Sequence, residues 1–286
     1  MKLKITLIIL ICFSKIYSQK IEKEIGEIKI TKEGYYFEDY LKSKKRKVSK
    51  SEFYFDKFGK ILEKISYGRH HYNKLSVIGN IEQYEYQNGN LVTVKDWISS
   101  CESCDFSLYK TQYIYDEQNT LIKKTYTNPI SEPSIYNYEK NKTEIHSGNY
   151  YIQKIYDNQK RIIQCNQISE ETNKIRWQYL YEYKDNFRIG NFQTYYGDGK
   201  ENSKKEIVAF DKENRIISKE IYNYNRTKIV FKYSENGIIN EITEYESSLE
   251  KEDYKLLRLT KIKINKSPNK LTKEIIEEIN LELSNE

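Results

Sequence analysis

The feature that most restricts how this chain can fold is a short pattern that recurs along its middle. Aromatic residues stand two apart, an acid or polar residue follows, then a turn residue, then a branched aliphatic. The clearest copies begin Phe53-Tyr54-Phe55-Asp56 and Tyr113-Ile114-Tyr115-Asp116, reaching Gly59 and Ile61 in the first and Asn119 and Leu121 in the second. Two more run from Tyr156-Asp157 to Lys160 and Ile162, and from Phe210-Asp211 to Asn214 and Ile216. Weaker copies span Tyr84 to Leu91 and Phe231 to Ile239, while Tyr136/Tyr138 and Tyr181/Tyr183 keep only the aromatic pair. Residues two apart share one face of a strand, so each pair places two rings on the same side. The Asp carboxylate can accept from the backbone two residues on and so starts a turn. Gly or Asn four positions after the last aromatic takes positive φ at low cost, as a tight connection requires. The aliphatic then opens a return strand. The unit is a β-hairpin.

Successive units lie 18 to 31 residues apart. A solenoid needs a nearly fixed period, because each repeat stacks on an identical neighbour. This spread instead predicts an all-β meander of antiparallel hairpins with loops of unequal length. We expect one elongated, twisted and curved sheet of roughly 14–18 short strands, since open sheets rarely stay flat beyond roughly ten. The repeat covers approximately residues 50–245. Beyond it, Leu271, Ile275, Ile279 and Leu283 recur every four residues after Pro268, a pattern that suits a short C-terminal helix, although Ile275 to Leu283 also reads as a last strand.

The first eighteen residues read differently. Lys2 and Lys4 precede an apolar run, Ile5 to Phe13, and a more polar exit from Ser14 to Ser18. That is the order of a secretory signal peptide, with cleavage expected after Ser18 and a single domain at 19–286. Nine apolar residues fall far short of the roughly 20 that span a bilayer, so no transmembrane anchor is expected in the mature chain. Cys12 lies inside the apolar run behind the bulky Ile11, a poor setting for lipidation. Loss of Lys2, Lys4 and Lys15 lowers the formal net charge from +6 to +3. Acids and bases are interleaved along the remainder, which leaves no electrostatic footprint for nucleic acid. The one local cluster, Lys42 to Lys50, reads as a solvated loop between strands.

Few residues offer chemistry. Cys101 and Cys104 flank Glu102-Ser103 in an apparent loop, and the preferred reading is a local disulfide in an oxidising compartment, with Cys165 left as a buried free thiol. A redox-active pair would need its first cysteine at a helix N-terminus, and zinc would need two further ligands, which only His70 and His71 could supply. His70, His71 and His146 stand near glycines and read as exposed turn residues. No hydrolase, zincin or phosphate-loop signature occurs, and no cofactor is expected. The 28 tyrosines either cover the sheet by packing on one another or form a platform for sugars or apolar peptides, and the repeat itself favours the first.

The aromatic-Asp, turn and aliphatic order resembles the YD repeats of the Rhs family, and Tyr86 to Leu91 and Tyr233 to Ile239 also resemble MORN-variant repeats of exported bacterial proteins. Either resemblance implies a repeat-built β-sheet and neither implies a catalytic residue. The expectation is therefore an exported, non-enzymatic binding or scaffold module at the cell surface, in the periplasm or outside the cell. Its partner would be a protein or a carbohydrate of the envelope. The alternatives are a carbohydrate-active hydrolase with carboxylates on the tyrosine-rich face, and an accessory or immunity-type partner of a secreted toxin.

Overall fold

A computed structural model describes residues 27–37, 45–68, 75, 77–99, 104–127, 131–196, 199–248, 253–267 and 271–284. The signal-peptide, Cys12, Cys101, His70 and His71 expectations fall outside the described residues. The chain forms β1 (Ile28–Phe37), β2 (Lys45–Phe55), β3 (Ile61–Tyr67), β4 (Ile78–Gln87), β5 (Asn90–Ser99), β6 (Phe106–Tyr115), β7 (Leu121–Tyr126), β8 (Ser134–Glu139) and β9 (Lys142–Ser147). It continues through β10 (Tyr150–Tyr156), β11 (Ile162–Ser169), β12 (Ile175–Lys184), β13 (Phe187–Tyr196), β14 (Gly199–Phe210), β15 (Ile216–Tyr222), β16 (Arg226–Tyr233), β17 (Ile239–Ser247) and β18 (Lys255–Lys266), and ends in one helix, α1 (Lys273–Ser284).

The hairpin unit repeats in atomic detail. Asp56 Oδ1 accepts from the N–H groups of Phe58 and Lys60 at 2.8 and 2.9 Å. Asp116, Asp157 and Asp211 repeat the arrangement in their own turns. The fourth turn position takes positive φ in each case: Gly59 (84°), Asn119 (60°), Lys160 (63°), Asn214 (63°) and, in the Ser234 variant, Gly237 (82°). The aromatic before each turn pairs with the aliphatic after it, as in Phe55–Ile61, Tyr86–Leu91, Tyr115–Leu121, Tyr156–Ile162, Phe210–Ile216 and Tyr233–Ile239. A register shift follows directly at every one of these six pairs. The shift is a β-bulge, which strengthens local twist and bends the strand.

Tyrosine hydroxyls complete what the bulges leave open. Tyr115 donates to the Leu91 carbonyl at 2.8 Å, Tyr183 to Ile162 at 3.0 Å and Tyr233 to Ile216 at 2.8 Å. In each case the accepting residue sits two positions before the first ladder pair with the next strand: Thr93–Gln112, Gln164–Leu180 and Ser218–Val230. A backbone acceptor that the ladder misses is thereby satisfied, which matters because an unpaired buried carbonyl costs about as much as a lost hydrogen bond. Arg161 lies over the Tyr183 ring at 4.3 Å and Arg215 over Tyr233 at 4.7 Å, so the basic residue of one turn stacks on the tyrosine of the next hairpin. Lys60 lies over the Tyr86 ring at 5.2 Å in the same way, whereas the copy at Tyr115 has Thr120 at this position.

All eighteen strands pair antiparallel with their sequence neighbours, and β1 also pairs with β18 from Lys29–Lys266 to Tyr36–Arg258. The sheet is thus a closed barrel, which corrects the open curved sheet expected above. The expectation failed at the ends: neither β1 nor β18 carries the repeat, so the sequence offered no sign that two flanking strands would meet. Closure removes both edges, the usual liability of a long sheet. The short Asp-initiated turns all lie on one rim. The opposite rim carries the loops of unequal length, which is where the irregular spacing of the units arises. Lys45 to Lys50 belong to β2 rather than to a loop; Lys47 pairs with Glu33, and Lys50 with Glu52 at 2.7 Å.

The terminal segment is helical. Thr272 caps α1, its Oγ1 accepting from Ile275 N–H at 3.4 Å. Ile279 and Leu283 are fully buried against Ile28, Ile30, Phe53, Phe55, Ile61, Ile238, Ile239 and Ile262, and Tyr84, Phe231, Tyr233 and Ile242 pack around this core. These residues come from β1 to β4 and β16 to β18, seven adjacent strands. A helix roughly 10 Å wide reaches that many strands only from the concave side, so α1 lies in the lumen. Two polar ties fix it. Asn280 accepts from Ile239 N–H at 2.8 Å and donates to Gly237 O at 2.9 Å, and Lys32 Nζ donates to Leu283 O at 3.1 Å at the negative end of the helix dipole.

Candidate functional site

With α1 marking the lumen, register and alternation assign a face to the described strand side chains. The outward face carries a charged or amide side chain on all eighteen strands, for example Lys29, Glu52, Lys95, Glu144, Asn166, Glu220 and Lys261. Glu52 illustrates its chemistry. Burial opposes its ionisation, but hydrogen bonds from Lys50, Lys29 and Tyr54 prevail and hold its carboxyl at about 2. Asn166, nearly fully buried, is held among Gln153, Gln164 and Gln178. A barrel that crosses a bilayer presents an apolar band about 25 Å tall to lipid, with polar residues inside. Here the outward face instead interrupts its apolar residues with charged or amide side chains on every strand, so no continuous apolar band is formed. No described helix is long and apolar enough to cross a membrane either.

The lumen is divided between two walls. Strands β16 to β18 and β1 to β4 are covered by α1. Beside the C-terminal end of α1 lies a cavity of about 280 Å³ lined by Lys32, Lys219, Ile229, Phe231, Glu244 and Arg258 among others. On β4 and β5, Glu82 and Asp96 stand directly opposite each other. Lys64 approaches Glu82 at 3.1 Å, Tyr84 donates to Glu82 at 2.7 Å and Asn80 donates to Asp96 at 2.6 Å. Burial and then the Glu82 charge push the Asp96 carboxyl up.

The second wall, β6 to β15, carries most of the inward aromatic rows. Tyr136 and Tyr138 stack at 6.5 Å, and Tyr179 and Tyr181 at 5.7 Å with planes 6° apart. Phe192 packs on Tyr179 at 4.5 Å, and Trp177 lies 5.9 Å from Tyr179 and 6.1 Å from Phe192. These rings pack along and across strands, yet stay half-buried, and Tyr138 is 47% exposed. The rings thus cover the sheet and leave part of their faces open to the lumen.

This wall is basic. Lys124, Lys154, Arg188, Lys204 and Lys219 point inward from it, against Glu206. Glu206 binds Arg188 at 3.2 Å and Lys219 at 2.6 Å, which leaves Lys124, Lys154 and Lys204 with no carboxylate in salt-bridge range among the described residues. Lys124 lies 5.0 Å from the Tyr113 ring and 5.6 Å from Tyr126. Burial works against its charge, but the surrounding tyrosines outweigh that and raise its pKa. The repeat pattern gave the ring positions but not this charge separation, because register across nonadjacent hairpins decides which lysines share a face.

The residues singled out by sequence lie elsewhere or play smaller parts. Cys104 is disulfide-bonded, and its expected partner Cys101 lies outside the described residues. Cys165 is a free, half-buried thiol facing the lumen, with a pKa that burial pushes up. His146 is not an exposed turn residue: it lies in β9, stacked on Tyr151 at 4.9 Å, with Nδ1 2.6 Å from Glu170. Gly148 beside it does make the turn. Among the described residues no cluster of His, Cys, Asp and Glu has metal-site spacing.

No family model and no curated protein matches the sequence. Among solved structures, a porin-like protein from Bacteroides uniformis is similar with a TM-score of 0.46 and 9% identity, covering 83% of this chain and 96% of that one. The TcdB2-TccC3-Cdc42 structure gives a TM-score of 0.32 at 9% identity, and the Photorhabdus luminescens Tc holotoxin pore 0.29 at 12%. In both, 79% of this chain matches 14% of the larger one.

Proposed function

We propose that this chain is an exported, non-enzymatic binding module, a water-exposed barrel that takes its ligand in the lumen. One observation carries the reading: charged and amide residues face outward on every strand, while uncovered aromatic rings face inward. Eighteen strands fall in the range where a barrel leaves an aqueous interior, so the lumen has room for a guest. Lys or Arg on a lipid face costs roughly 2–4 kcal/mol each at the bilayer midplane, and this outer surface carries them in number. A channel reading draws on strand number alone and is opposed by that surface. Export rests on the N-terminal segment, and the YD-like hairpin repeat is the proposed source of the barrel.

Envelope fractionation and planar-bilayer recording test the proposal. We expect a monomer that stays in solution without detergent, produces no unitary currents, and has an intact mass for a chain beginning near Gln19. Recovery only in detergent together with stable conductance would overturn the module in favour of a channel. A full-length mass from every fraction would overturn export.

A further inference from the structure

The basic aromatic wall contains a row that register defines residue by residue. Tyr138 faces Thr143, Thr143 faces Lys154, Lys154 faces Cys165, Cys165 faces Tyr179, Tyr179 faces Phe192 and Phe192 faces Lys204. Lys154 and Lys204 thus stand four strand spacings apart, about 19 Å, with the Tyr179–Phe192 pair between them. Both lysines are half-buried, and neither has an acidic partner among the described residues. In the adjoining row Trp177 faces Thr194. Aromatic faces and two separated cations are convergent features of one surface.

We propose that this row binds an acidic polysaccharide, a glycan carrying a carboxylate on its sugar rings. The inference rests on reading the lumen as a binding site. Apolar sugar faces stack on Tyr179 and Phe192, and carboxylates near the two ends meet Lys154 and Lys204. Charge complementarity selects the acidic class, because the described residues of this wall include the five inward cations named above against Glu206. An acidic peptide is a poorer fit: extended peptides gain affinity by adding to a sheet edge, and a closed barrel has none. A single-stranded nucleic acid needs a continuous basic track along every phosphate, whereas here the unpaired lysines are sparse and the chain as a whole is near balance.

The test uses the Trp97→Phe protein, so that Trp177 alone reports. Trp97 is on the outer face between Ile81 and Leu108, away from the lumen. Polygalacturonate, its fully methyl-esterified form and a single-stranded oligonucleotide of equal charge are titrated at low salt. We expect saturable change in Trp177 emission with polygalacturonate, at least about tenfold weaker with the neutral ester, which cannot form charge-assisted pairs with the lysines. The same glycan should slow maleimide labelling of Cys165. The Lys154→Ala/Lys204→Ala protein should keep its circular dichroism spectrum and lose the preference for the charged form. Equal binding of the two glycans, or tighter binding of the oligonucleotide, overturns the proposal. So does no response to any glycan from a protein that passes the solubility and conductance tests, an outcome that leaves the module reading standing.

Discussion

Replacing Ile279 by Ala should destabilise the barrel by roughly 2–5 kcal/mol, the range for truncating a fully buried aliphatic whose surroundings cannot collapse. Ile279 is 0% exposed and belongs to the cluster that joins α1 to β1, β2, β3, β17 and β18. The neighbouring strands are held by ladder hydrogen bonds to both sides, so they have little freedom to close on the void. Leu281 provides the control within the same helix, because it is 55% exposed and Leu281→Ala should fall within about 0.5 kcal/mol of the parent. Denaturant melts of the two variants decide the matter. Equal stability of the pair would mean that α1 does not seat its Ile279 face in the lumen.

Tyr233→Ala should cost roughly 3 kcal/mol, near the lower end for aromatic truncation because the ring is only half-buried. The residue packs against the α1 core, lies beneath the Arg215 guanidinium and donates to the Ile216 carbonyl. Its phenol is pushed up to about 12, raised by burial and pulled back in part by Arg215, so it stays protonated as a donor across the stable pH range. Tyr233→Phe separates the contributions. It keeps the ring and the stacked cation and removes only the hydroxyl, so about 1 kcal/mol should be lost, the net value of a typical intramolecular hydrogen bond. Thermal melts of the two proteins measure both. A Tyr233→Phe protein as unstable as Tyr233→Ala would place the whole effect in the hydroxyl and refute the packing role.

The same residues show how far the sequence could be read. The Asp and Gly or Asn positions of the repeat are local chemistry, set within five residues of chain, and the turns form as those residue types require. Even Lys160, with a side chain disfavoured at positive φ, follows its neighbours into the common turn because Asp157 and the bulge fix the backbone around it. Helix against strand at 271–284 could not be decided from spacing alone, because the answer depends on a complementary wall of isoleucines and phenylalanines some 220 residues away. Closure was equally hidden, since β1 and β18 have alternating residues but no repeat and meet only by long-range pairing. The candidate row needed the register of the five strands β10 to β14. No window of sequence brings Lys154, Tyr179, Phe192 and Lys204 together.

Closure with a polar exterior is the central claim, and a bridge across the β1–β18 seam tests it most directly. Glu33 and Lys261 are register partners on the outward face, separated by most of the chain. Directly opposed antiparallel residues have Cα atoms roughly 4.5–5.5 Å apart, a distance a disulfide can span. Glu33→Cys with Lys261→Cys, in a Cys165→Ser background, should therefore form an intramolecular bridge under mild oxidation. The expected product is a monomer that migrates faster on a non-reducing gel and whose tryptic map contains the cross-linked β1–β18 peptide. Cysteines that stay reduced, or that link only separate molecules, would show that the two terminal strands do not meet and that the sheet is open.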